Sequence, residues 1–98
     1  MKKQALAICF LLGLLSPSPY TYTIIPAADH TWCYDVYQNG RVFIHQTSIP
    51  GQPGNLGFAR KKDAEKIAAL VVFKLENHVL PPTVTRQEMD SLHIKYQP

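Results

Sequence analysis

Two strand-like runs, Trp32-Cys33-Tyr34-Asp35-Val36-Tyr37 and Arg41-Val42-Phe43-Ile44-His45-Gln46-Thr47, are separated by only Gln38-Asn39-Gly40. Both runs are rich in aromatic and β-branched residues, and a short connection containing Asn-Gly is the strongest hairpin signal a sequence carries. An antiparallel pair is therefore the element around which the rest of the chain must be arranged. Its register follows from its side chains. A two-residue Asn39-Gly40 loop would set Val36 against Phe43 and Tyr34 against His45, mixing apolar and polar faces. A three-residue loop, with Gly40 in the left-handed bulge position, sorts them. It predicts Trp32, Tyr34, Val36, Val42, Ile44 and Gln46 on one face, to be covered by a helix. Cys33, Asp35, Tyr37, Arg41, Phe43 and His45 share the other, with Cys33 across from His45.

Tyr20-Thr21-Tyr22-Thr23-Ile24-Ile25 reads as a preceding strand, and Pro26 to His30 as the loop after it. Ile49 to Gly57 holds three glycines and two prolines and is a connecting loop; no Gly-Lys-Ser/Thr follows that would make it a phosphate cradle. From Lys61 to about Asn77, Ala64, Ile67, Ala68, Val71 and Leu75 recur at helical spacing and predict an amphipathic helix of about four turns. Leu70 and Phe73 lie off that stripe, either widening the buried face or leaving an apolar patch. Pro81-Pro82 stops any continuation. Thr85-Arg86-Gln87-Glu88 has capping-box spacing and predicts a short second helix, followed by a frayed tail from His93. The fold class is α+β: a small antiparallel sheet of about three strands packed against one long helix, with a short C-terminal helix.

Trp32 to Tyr34, Ile44-His45-Gln46, Ile49-Pro50, Pro53-Gly54-Asn55, Phe58, Asp63-Ala64-Glu65-Lys66 and Pro81-Pro82-Thr83-Val84-Thr85 together resemble a family of small exported Bacteroidetes proteins known as a domain of unknown function. The resemblance covers roughly residues 30 to 94. It implies an exported bacterial protein with one small domain, and it supplies no activity and no catalytic residue.

The N-terminus bears on export independently. Met1-Lys2-Lys3-Gln4 precedes an uncharged apolar run from Ala5 to Leu15, then Ser16-Pro17-Ser18-Pro19, the order of a signal peptide. A membrane-spanning helix needs about 20 apolar residues and this run is shorter. The expected organisation is a signal peptide over residues 1–18 and a single domain over 19–98, periplasmic or secreted, with membrane attachment only if the signal is left uncleaved. Hydrophobic residues make up 46% of the 98, but part of that share belongs to the signal, so the mature core is smaller than the figure implies. Removing Lys2 and Lys3 lowers Lys plus Arg from 10 to 8 against 7 acidic residues, a net charge of +1. No basic stripe remains to attract nucleic acid or an anionic membrane surface. Cys9 leaves with the signal, so Cys33 stands alone and no intrachain disulfide forms. A small exported domain without such a staple relies on a modest core or on a partner, which argues for a homodimer or an envelope protein partner.

Three kinds of site are conceivable. Cys33 and His45, paired across the hairpin, would bring a nucleophile and a base together, with Arg41 favouring and Asp35 opposing a lowered thiol pKa; the thiol could instead bridge two chains. His30, His45, His78 and His93 could ligate zinc or copper, but no two stand three to five apart on one helix. The favoured reading is a binding surface on the face away from the helix, built from Tyr37, Arg41, Phe43 and His45, with the edge strands free to pair with a second chain. It is non-catalytic and calls for no cofactor and no metal.

Overall fold

The computed structural model describes residues 18–52 and 54–95. The predicted signal segment lies outside the described residues except for Ser18, as do residues 96–98 of the expected tail. Within them the chain runs β1 (Tyr20–Pro26), β2 (Trp32–Gln38), β3 (Arg41–Gln46), α1 (Lys61–Glu76) and α2 (Arg86–Ser91). The strands form one antiparallel sheet in the order β1-β2-β3, giving the α+β architecture that the sequence predicts.

The hairpin reaches its face pattern by a different route from the predicted one. Gln38 pairs with Arg41, so the loop is the two residues Asn39 and Gly40, at φ 52° and 81°. Positive φ at both central positions is the type I′ turn, whose twist matches that of the flanking strands. A bulge then follows: Tyr37 pairs with Val42 but Val36 with Ile44, leaving Phe43 as the extra residue. That single insertion restores apolar pairing in Val36–Ile44 and aligns Tyr34 with Gln46 and Asp35 with His45. The expected face holds for Tyr34, Val36, Ile44 and Gln46. Beyond the bulge it is corrected: Val42 falls opposite Tyr37, on the face away from the helix. Phe43 turns toward Tyr20, ring centroids 6.3 Å apart, and Tyr20 packs against the core.

α1 buries the predicted stripe of Ala64, Ile67, Ala68, Val71 and Leu75 against Tyr34, Val36 and Phe58. Each large aliphatic in that stripe contributes about 1.5–3 kcal/mol through burial. The helix lies mainly over β1 and β2. One helix is about 10 Å wide and strands are spaced by about 4.8 Å, so β3 overhangs the helix. Phe73 projects from α1 into solvent, whereas Leu70 is half-buried near Leu92. The loop between β3 and α1 returns to the sheet at Phe58, which exchanges two backbone bonds of 2.8 Å with Trp32. Gly57 permits that approach, since a Cβ there would lie 2.5 Å from the Trp32 carbonyl oxygen.

α2 starts at the predicted capping box: Thr85 Oγ1 accepts from Glu88 N at 3.1 Å, and Glu88 Oε1 accepts from Thr85 N at 2.9 Å. The tail after it is not frayed where it is described. Ile94 is buried, its N–H donates to Met89 O at 3.0 Å, and Lys95 N donates to Asp63 at 3.0 Å.

Candidate functional site

On the sheet face away from α1, His45 Nδ1 is hydrogen-bonded to Asp35 Oδ1. An ionised carboxylate only accepts, so in this contact the imidazole donates from Nδ1. The two-residue turn and the bulge create this pair, because together they move His45 from its expected place opposite Cys33 to a place opposite Asp35. Cys33 instead pairs with Ile25 of β1 and is 5% exposed. Burial pushes its thiol pKa up, and the nearby Asp35 charge adds to the effect. A nucleophilic cysteine needs the opposite shift. Cys33 and His45 still line one open depression of about 460 Å³, together with Asp29, Thr31 and Asn55.

The four residues expected to form one binding surface are divided by the hairpin register. Tyr37 and His45 lie on the face away from the helix, with Val42 beside them. Arg41, opposite Gln38, and Phe43, against Tyr20, lie on the helix side beyond the end of the core. Of the histidines, His30, His78 and His93 occupy turn positions with φ near +60°. Among the described residues no three His, Cys, Asp or Glu side chains converge as metal ligands.

A second feature follows from the overhang of β3. Its helix-side residues Ile44 and Gln46 meet Tyr34 on the floor of a groove of about 420 Å³. Val71 of α1, Pro81 to Val84 and Pro50-Gly51 complete its lining. Gln46 is held by a 2.6 Å bond from Nε2 to Ser48 O. Lys74 props the Pro81–Val84 segment, with Nζ close to Thr83 O and bonded to Glu88 at 2.8 Å. Outside the groove, Leu80, Val42 and Phe43 are exposed apolar side chains, Val42 at 57% and Phe43 at 48%.

A family model described as Domain of unknown function (DUF4907) matches residues 19–91. The chain belongs to this family. No curated protein and no solved structure matches it.

The matched span of DUF4907 begins at the residue before β1 and closes on the last residue of α2, so it contains the sheet, both helices and the groove. Sequence reading of this DUF4907 chain missed the groove altogether. Pro81-Pro82 registers locally only as a helix stop, and Tyr34 only as an inward strand residue. What brings them together is packing between residues almost fifty positions apart, for which the chain carries no periodic signal. The Asp35–His45 pair was within reach, since it needed only a bulge after an Asn-Gly turn.

Proposed function

We propose that this DUF4907 domain is an exported, non-catalytic interaction module that self-associates through the free edge of β3, an envelope protein offering an extended strand being the other form of the same contact. The observation that carries the reading is the edge itself. Among the described residues β3 is hydrogen-bonded on one side only, α1 lies mainly over β1 and β2, and Val42 and Phe43 are exposed on β3. An edge strand offers unpaired backbone donors and acceptors to another chain, and exposed apolar side chains add buried area to such a pairing. The raised thiol pKa of Cys33 and its distance in register from His45 support a non-catalytic role. Export rests on the basic-then-apolar order of the first fifteen residues. No helix among the described residues is long and apolar enough to cross a membrane.

The test is the solution mass of the mature chain by light scattering, with and without reductant. A dimer that persists under reduction supports pairing through β3. One lost on reduction assigns the contact to Cys33, and a monomer turns the search to envelope partners.

A further inference from the structure

The groove beside β3 holds a polar atom that the fold leaves unserved. Tyr34 is 1% exposed, yet its hydroxyl makes no hydrogen bond to any described residue. No buried side-chain nitrogen or oxygen lacks a partner, so the small part of Tyr34 that reaches the surface is the hydroxyl oxygen itself. Tyr34 is one of the residues that line the groove. Burial pushes its phenol pKa well above the ordinary range, so the group stays protonated and able to donate. A hydroxyl that opens onto a groove from an otherwise buried ring, with no protein partner among the described residues, keeps its donor free for whatever enters the groove.

The rest of the groove defines what could meet it. Ile44, Val71, Val84 and the two prolines supply apolar walls, and Gln46 keeps Oε1 as an acceptor while its amide nitrogen is engaged. Among the described residues no charged side chain lines the groove, and Lys74, which holds the Pro81–Val84 segment, is already bonded to Glu88 and Thr83, so nothing in the groove favours a charged ligand. Its volume falls within the range of about 300–1,000 Å³ in which small-molecule sites occur.

We infer that this groove is a binding site for a small neutral molecule with an apolar body and one hydrogen-bond-accepting oxygen, a ketone, ester or amide carbonyl, received by the Tyr34 hydroxyl. The site goes beyond strand pairing at β3 and stands or falls separately from it.

The test is a cycle of two ligands and two proteins. Acetophenone and ethylbenzene differ chiefly in the carbonyl oxygen, and each is titrated into the mature chain and into Tyr34→Phe while amide resonances are followed by NMR. Tyr34→Phe removes an unserved hydroxyl and leaves the ring packed on Phe58, so its Tm is expected to equal or exceed that of the parent. Both ligands should shift the resonances of Ile44, Gln46, Val71 and Val84. The affinity ratio of acetophenone to ethylbenzene should fall roughly 2- to 12-fold in Tyr34→Phe, the range set by one net neutral hydrogen bond. An unchanged ratio, or no shift at those residues with either ligand, overturns the inference. Either result leaves the solution mass, and with it the β3 reading, to be judged on its own.

Discussion

Arg60 and Asp63 are joined by two parallel hydrogen bonds, Nε to Oδ2 and Nη2 to Oδ1, each 2.9 Å long. Asp63 is completely buried, and its Oδ2 also accepts from Lys95 N, while Arg60 Nη2 reaches His93 O at 3.0 Å. The pair thus fastens the C-terminal tail to the first turn of α1, where the backbone has no side-chain cap. A bidentate guanidinium–carboxylate contact is among the stronger polar interactions, and losing one partner strands a buried charge.

Arg60→Ala is therefore expected to lower unfolding free energy by about 3 kcal/mol. This is the low end of the range for breaking a buried pair, because the arginine side chain is itself partly exposed. Urea denaturation measures it. A loss below about 0.5 kcal/mol, the scale of an ordinary surface substitution, would contradict the assignment.

Glu88 gives a pH signature. The hydrogen bond from Lys74, reinforced by those from Thr85, holds its carboxyl pKa below the ordinary 4.5. A carboxylate favoured in the folded state contributes stability that is fully present above its unfolded pKa and disappears as pH falls through the folded value. The stability difference between the parent chain and Glu88→Gln should be constant near neutrality and shrink as the solution is taken below 4.5. A difference that grows on acidification would mean the shift has the opposite sign.

Cys33 should behave as an inert thiol. Burial and the Asp35 charge raise its pKa above 9.0, so alkylation by iodoacetamide in the native protein should be slower than for free cysteine at the same pH, and should recover in denaturant. Cys33→Ala should leave the solution mass unchanged. Native alkylation as fast as that of free cysteine would reopen the thiol chemistry.

The sequence shows its local patterns plainly and its long-range contacts hardly at all. Period-two runs place three strands within a residue or two, and the Ala64-to-Leu75 stripe places α1, because burial of one face imposes a period on the residues that line it. Thr85 and Glu88 announce α2 because a capping box is a contact three residues long. The hairpin turn was misread for an identifiable reason: demanding one uninterrupted register excluded the Asn39-Gly40 turn, whereas a bulge at Phe43 satisfies turn and faces together. Asp63 looks like a surface residue beside Lys62 and Lys66, and only a bond to Lys95, more than thirty residues away, reveals its burial. The groove is illegible for the same reason, since Tyr34, Val71 and Pro81 share no local pattern.

The measurement that bears most directly on the proposed function is the solution mass of the mature chain compared with that of a Val42→Lys, Phe43→Lys double variant, both under reducing conditions. Both side chains are largely exposed, so the variant should still fold cooperatively, with its Tm lowered only by loss of the Phe43–Tyr20 ring contact, while two lysines on the edge should oppose strand pairing. A dimeric parent and a monomeric variant are the expected result; equal masses for the two, whether both monomeric or both dimeric, would contradict self-association through β3.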